Sequence, residues 1–327
     1  LEATLSVSFI IAIKMCSVNH GATASGCTAT VTTGYTFDGW YTAATGGTRV
    51  STSLTYAPTN VTAAATYYAR ATINKYTVTL SPYYRNTDGT GDYTSGTTGG
   101  TVSGGGSYNY GSSVTITATA ATGYKFDGWY TAASGGSLVS SSASYTLTSS
   151  ITANQTVYAR FTRLYYTITY SKNAYVSSVS RASERVEYGK NALGSTLTLL
   201  ANTVQYTYTI DGWYSGNSRV VTTATYAPTA VKANATYEAR GTRTVNKYTV
   251  TATAQYRDTD GTGSYTTGTT GGTASGGGSV DYGSTKTLTA SATTQYNFDG
   301  WYNSSGTQVS TSLTYIQTEI KSENISP

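Results

Sequence analysis

Phe126-Asp127-Gly128-Trp129-Tyr130 has three counterparts: Phe37-Asp38-Gly39-Trp40-Tyr41, Ile210-Asp211-Gly212-Trp213-Tyr214 and Phe298-Asp299-Gly300-Trp301-Tyr302. These stretches hold every tryptophan of the 327-residue chain, 89, 84 and 88 residues apart. A large aromatic placed once per repeat plugs a small hydrophobic core. The Asp-Gly step before it supplies a turn or a bulge, because glycine tolerates backbone angles that other residues avoid. The core is therefore expected at Trp40, Trp129, Trp213 and Trp301, with Phe37, Phe126, Ile210 and Phe298 beside them. The other use of such a tryptophan is an exposed platform for sugar.

Outward from Trp129, the second repeat gives the template. It opens with Tyr76-Thr77-Val78-Thr79-Leu80 and passes through a polar, glycine-rich stretch from Arg85 to Ser107. Tyr110-Gly111 then introduces Val114-Thr115-Ile116-Thr117-Ala118-Thr119-Ala120, and the repeat closes with Gln155-Thr156-Val157-Tyr158-Ala159-Arg160-Phe161. Alternation with period two, β-branched residues and few helix formers predict four or five strands per repeat and an all-β chain. Arg181-Ala182-Ser183-Glu184-Arg185-Val186-Glu187 in the third repeat is the one stretch with helical character.

The repeats fall at residues 1–72, 75–162, 164–243 and 247–327, the first including an N-terminal hydrophobic strand. The links are short and hold no long flexible linker, so four tandem small β domains in an elongated rod are expected. Repeats 1 and 3 share Thr-Tyr-Ala-Pro-Thr at Thr55 and Thr225, and repeats 2 and 4 share Thr-Asp-Gly-Thr-Gly at Thr87 and Thr259. The array reads as a duplicated pair. Arg70, Arg160 and Arg240 recur on the closing strands, either on a solvated face with local hydrogen bonds or as contacts to an anionic ligand.

Charged residues make up 11% of the chain, the net charge is +5, and no Lys/Arg run occurs, so the footprint of a nucleic-acid binder is missing. Thirty-two tyrosines against five phenylalanines suit half-buried strands and contact surfaces. One histidine and no paired carboxylates at fixed spacing argue against an enzyme. No stretch approaches the ~18 apolar residues of a membrane-spanning helix. Cys16 and Cys27 either form a bridge in an oxidising compartment or remain two buried thiols. Asp258 and Asp260, with Asp88 and Asp92 in the matching run, resemble the start of a calcium loop. The twelfth position is Thr97 or Thr269 instead of a bidentate acid, and Asp-Gly also marks a hairpin tip. No cofactor is expected beyond that calcium candidate.

Val7, Phe9, Ile11, Ile13 and Met15 alternate like a half-buried strand, not a signal-peptide core. Aligned on repeat 1, repeat 4 stops after Leu313-Thr314-Tyr315, short of the Tyr-Tyr-Ala-Arg strand. Three expectations follow. The N-terminal strand of one copy fills the groove of the next, giving a head-to-tail homopolymer. Alternatively, residues 4–15 are simply the first strand of repeat 1 and the chain is cut from a longer protein. The third is that repeat 4 tolerates the loss of its last strand.

Tyr76 to Thr79, Gly104 to Gly106, Tyr110-Gly111, Gly123 to Trp129 and Tyr158 to Phe161 together resemble the internalin-type B-repeat, more closely its divergent relative in large bacterial surface proteins. The resemblance covers nearly the whole chain. It implies small β-grasp-like or β-sandwich-like modules serving as stalks, spacers or adhesive segments at the bacterial cell surface, without catalytic residues. The expected function is thus a non-enzymatic extracellular structural repeat protein, a stalk or fibre subunit. Its partners would be other copies or neighbouring domains of a larger surface protein. The alternative is an adhesin that holds glycan or host protein through exposed Tyr or Trp.

Overall fold

Threonine and β-branched alternation becomes strand throughout, and no helix occurs among the described residues. The computed structural model describes residues 2–7, 14–147 and 149–321, with side chains from residue 17 onward. The chain divides into two compact units, Leu1–Tyr165 and Tyr166–Pro327. Each contains two repeats.

Repeat 2 shows the plan. Its main sheet has the order Gly106–Asn109, Lys75–Arg85, Gln155–Arg163, Tyr124–Tyr130, Leu138–Ser140. The closing strand Gln155–Arg163 therefore lies in the middle. It runs parallel to the opening strand Lys75–Arg85 and antiparallel to the Trp strand Tyr124–Tyr130. A second sheet of Gly100–Ser103, Thr115–Ala120 and Ser144–Thr146 covers one face. Val114, Ile116 and Ala118 point into the space between the sheets, where they meet Val78, Trp129, Ile151, Val157, Ala159 and Phe161. Trp129 is fully buried, and removing so large a buried ring costs about 3–5 kcal/mol.

The Asp-Gly step is a bulge. Register slips between Phe126 and Gly128 opposite the closing strand, leaving Asp127 as the extra residue. Gly128 sits at φ 143°, a conformation closed to residues with a Cβ. The same slip recurs at Asp38 and Asp211. It turns the tryptophan inward and the aspartate outward.

Repeat 1 has the order Lys14–Ser17, Glu2–Val7, Ala65–Ile73, Tyr35–Tyr41, Arg49–Ser51. Val7 pairs with Ala69 and Met15 with Thr4, inside this repeat's own sheet. For the N-terminal segment, this placement matches the second expectation, a strand of repeat 1's own sheet. Phe9, Ile11 and Ile13 lie outside the described residues.

Repeat 3 repeats the order with Ser183–Glu187, Tyr165–Lys172, Ala235–Val245, Tyr206–Ser215 and Ser218–Val221. Two expectations are corrected here. Ser183–Glu187 is an edge strand, not a helix. A run of five residues closed by the turn at Gly189 is too short to nucleate a helix, and alternation buries Val186. Ile210 is 40% exposed and does not belong to the core. The opening strand supplies the missing ring instead: Tyr170 packs edge-on against Trp213 at 5.6 Å, matching Phe126 on Trp129 at 5.6 Å.

The four tryptophans are core residues, three fully buried and Trp301 4% exposed. Phe37, Phe126 and Phe298 pack half-buried against them. A Trp platform for sugar is thereby excluded.

Candidate functional site

The position of the closing strand is where the repeats differ most. In repeat 2 three groups lock it in place. Phe161, fully buried, enters a socket formed by Gly99, Gly100, Tyr84 and Phe126, whose ring centroid is 5.5 Å away. A Cβ on Gly99 would stand 2.7 Å from that of Phe161, so only glycine leaves the room. Thr162 donates its hydroxyl to Asp127 and accepts from Arg85 Nε at 2.8 Å. Tyr93 also donates to Asp127, at 3.1 Å. Arg160 lies 3.9 Å over the Tyr130 ring and donates to the carbonyls of Ala132, at 2.7 Å, and Gly135.

This arginine latch recurs. Arg70 stacks at 4.0 Å on Tyr41 and reaches the carbonyls of Ala43 and Gly46. Arg240 stacks at 4.1 Å on Tyr214 and donates to Gly216 at 2.9 Å. The reading of local hydrogen bonds holds, although the latch is more enclosed than a solvated face: Arg160 is 6% exposed. Its guanidinium Nη2 serves loop carbonyls, not an anion.

Among the described residues, repeat 4 builds the surroundings of this strand without the strand. Its opening strand is reduced to Lys247–Val250 and Gln255–Tyr256, and its Trp strand to Trp301–Tyr302. Lys247–Val250 pairs only with Gly278–Asp281, and Trp301–Tyr302 only with Gln308–Ser310. No closing strand occurs among the described residues, and a groove of about 1050 Å³ occupies the position. Its lining is repeat 2's strand bed: Tyr256, Gly271, Gly272, Tyr296 and Phe298 for the socket, with Tyr302 for the latch. Tyr265 and Tyr296 donate to Asp299 and Asp258 as Tyr93 and Tyr124 donate to Asp127 and Asn86. Those hydrogen bonds, with some burial, hold both hydroxyls above the usual tyrosine range. Arg257, left without a threonine, stands 3.7 Å from Asp299.

Residues 93–164 and 264–325 match the divergent InlB B-repeat domain, and residues 10–70 match the Listeria-Bacteroides repeat domain. These matches support a divergent InlB-type B-repeat family for repeats 2 and 4, and such repeats occur in bacterial surface proteins. A comparison with curated proteins gives no match. Repeat 3 lies outside the matches but has the same B-repeat sheet order.

Consecutive B-repeats within a compact unit meet at an asparagine that the sequence reading passed over. Asn74 donates its N–H to Gly34 and accepts from the Tyr110 N–H, each at 2.8 Å, while Thr36 donates to its side chain. Asn246 repeats this with Gln205, Tyr282 and Thr207. The recurring Asn-Lys-Tyr-Thr-Val at each junction was the available signal.

In B-repeat 3, Glu184 accepts from Tyr170 and from the N–H groups of Leu193 and Gly194, each at 2.8 Å. Burial alone would raise this carboxyl, but the three hydrogen bonds and nearby Arg181 hold it below the usual range. Tyr170 is pushed up by burial first, then by Glu184.

The calcium candidates do not converge. Asp258 accepts from a tyrosine, Asp92 and Asp260 are exposed, and Asp88 sits on an exposed Thr-Asp-Gly turn. No cluster of three or more metal-type side chains occurs among the described residues. Cys27 is a buried free thiol whose backbone pairs with Tyr56, whereas Cys16 pairs with Ala3 in the other sheet of repeat 1. The side chain of Cys16 lies outside the described residues.

Proposed function

We propose that this chain is a non-enzymatic structural segment of a bacterial surface protein, a spacer of tandem B-repeats that holds neighbouring domains away from the cell. The observation that carries the proposal is the fate of the repeated polar residues. Asp127, Asp211 and Asp299 hydrogen-bond within their own repeats, and the guanidiniums of Arg70, Arg160 and Arg240 reach loop carbonyls of theirs. The motif conserves a fold and leaves no recurring group for chemistry. The asparagine joints support the same reading, since hydrogen bonds across a junction resist bending there. Donation of the N-terminal strand to another copy is not part of the proposal, because Glu2–Val7 and Lys14–Ser17 pair within repeat 1.

Negative-stain electron microscopy across a concentration series tests it. Isolated elongated particles of one length at every concentration are expected. Compact globular particles, or turnover of any polymeric substrate by the purified protein, would overturn the spacer reading.

A further inference from the structure

Repeat 3 departs from repeats 2 and 4 in the stretch that leads into its tryptophan motif. There its Trp strand and closing strand form a two-stranded ribbon, with Tyr206 opposite Val245, Tyr208 opposite Arg243 and Ile210 opposite Gly241. Cross-strand partners share a face, so Tyr206, Tyr208, Ile210, Arg243 and Val245 stand together. Tyr175 joins them over Gly241, where a Cβ would stand 3.4 Å from that of Tyr175. The rings of Tyr175 and Tyr206 lie 6.2 and 6.4 Å from that of Tyr208. Arg243 rests its guanidinium on this group, 4.3 Å from the Tyr206 ring and 5.5 Å from the Tyr175 ring.

The fate of the polar atoms sets this face apart. Other stacked arginines are engaged inside the protein: Arg70, Arg160 and Arg240 by loop carbonyls, Arg85 by Thr162 and Arg257 by Asp299. Arg243 is exposed and makes no hydrogen bond or ion pair among the described residues. Counting back from the tryptophan, Tyr208 takes the place of Tyr124 and Tyr296, whose hydroxyls donate to Asn86 and Asp258. The hydroxyls of Tyr175, Tyr206 and Tyr208 have no such partner among the described residues.

We propose that this face of repeat 3 binds an acidic polysaccharide, with Arg243 receiving the carboxylate of a uronic-acid unit and the three tyrosine hydroxyls meeting the sugar's own hydroxyls. A guanidinium presents a planar fork that takes both oxygens of a carboxylate, and rings that already hold it lower the entropy cost of ordering it on binding. Ile210 and Val245, 40% and 36% exposed, flank the rings and suit the C–H face of a pyranose. An extended acidic peptide fits less well. The outer edge of the Tyr strand is already taken, since the N–H groups of Tyr206 and Tyr208 donate to Thr203 Oγ1 at 3.0 Å and Asn202 Oδ1 at 2.8 Å. No ladder is on offer along that edge for an added strand. The site goes beyond the spacer reading, and its failure would leave that reading untouched.

The test uses fluorescein-labelled hexagalacturonate, titrated into the 327-residue chain at physiological salt and followed by anisotropy. Saturable binding is expected, with neutral maltohexaose at least tenfold weaker as a competitor than unlabelled hexagalacturonate. Arg243→Lys keeps the charge but loses the fork, and should weaken binding about tenfold. Tyr206→Phe and Tyr208→Phe keep the rings and lose one hydroxyl each, and each should weaken binding about threefold or more. Arg49→Lys is the control, because Arg49 is exposed and stacks on no ring among the described residues; binding should not change. Each variant is checked for an unchanged melting curve. Absence of saturable binding, equal competition by maltohexaose, or equal losses in Arg243→Lys and Arg49→Lys overturns the proposal. So does displacement by hexaglutamate or inorganic phosphate at the concentrations that suffice for hexagalacturonate, which would make the face a receptor for acidic peptides or for any small anion.

Discussion

Repeats 2 and 4 have nearly the same sequence around the tryptophan and different sheets. In repeat 2 the opening strand is paired from Lys75 to Arg85 and the Trp strand from Tyr124 to Tyr130. In repeat 4 the same stretches keep strand pairing only at Lys247–Val250, Gln255–Tyr256 and Trp301–Tyr302. Among the described residues repeat 4 has no counterpart to the central strand of the sheet, and both of its neighbours there lack that ladder. The covering sheet, Gly272–Ser275, Lys286–Ala292 and Thr314–Gln317, is complete without it. So is the buried cluster of Val250, Leu288, Ala290, Trp301 and Ile320. Local patterning thus specifies the shell of a B-repeat, while the closing strand joins its halves into one sheet.

The largest expected effect tests that division. Trp129→Ala should cost repeat 2 about 3–5 kcal/mol and remove its transition from a calorimetric scan. Trp301→Ala should cost clearly less, because among the described residues no alanine of a closing strand presses on that indole. Equal losses would show that the central strand contributes nothing to the tryptophan's packing.

The socket gives the next largest effect. Gly99→Ala puts a methyl 2.6 Å from Tyr84 Cβ and 2.7 Å from Phe161 Cβ, both near the backbone and unable to swing away. Overpacking of this kind costs about 1–3 kcal/mol. Gly271→Ala meets Tyr256 Cβ at 2.7 Å, but its second contact, at 2.9 Å, is the Tyr296 ring and not a Cβ, so its cost in the free protein should be smaller. Urea midpoints of the two variants measure the difference. If Gly271→Ala proves the more damaging, the empty socket is not a relaxed copy of the filled one.

The arginine latch should be worth about 2 kcal/mol to repeat 2, from charge-assisted bonds to two carbonyls and a stacked ring. Arg160→Ala removes both. Arg160→Lys should recover only part, since an ammonium cannot span Ala132 and Gly135 while lying flat on Tyr130. Full rescue by lysine would reduce the latch to a point charge.

How much of this was legible in the sequence depended on whether the signal was local. The four tryptophans declared themselves because one residue type fell at one spacing. The all-β class followed from alternation, which needs no partner to be read. Ile210 misled because the motif marks a position, while the ring that fills the space comes from Tyr170, forty residues earlier in another strand. Ser183–Glu187 misled because its charged residues suit a helix and only pairing with the opening strand makes it an edge. The arginines could be assigned to a face but not to the loop carbonyls, whose approach depends on the bulge at the Asp-Gly step. Gly99-Gly100 carried the socket in plain view, yet its meaning lies in Phe161, some sixty residues away.

The smallest effect concerns pH and separates a closed repeat from an open one by titration. In repeat 3 the closing strand sets Tyr237 edge-on to Tyr226 at 4.9 Å. Burial first, then the hydrogen bond and charge of Tyr237, push the Tyr226 hydroxyl up to about 12. Its folded value lies above the ordinary tyrosine value of about 10, so the native state holds a proton that the unfolded chain releases. The resulting stability is fully present below pH 10 and is lost as pH rises toward 12. Tyr170, also raised by burial, acts in the same direction. Repeat 3 should therefore lose stability steeply above pH 10, read as a falling melting temperature in alkaline buffers. Tyr237→Phe removes the partner's hydroxyl and its charge but leaves the burial, so the alkaline loss should become shallower without vanishing. An unchanged slope would place the whole shift in burial. A slope that disappears would mean that the closing strand governs this tyrosine by direct contact, the stronger form of the contrast with repeat 4.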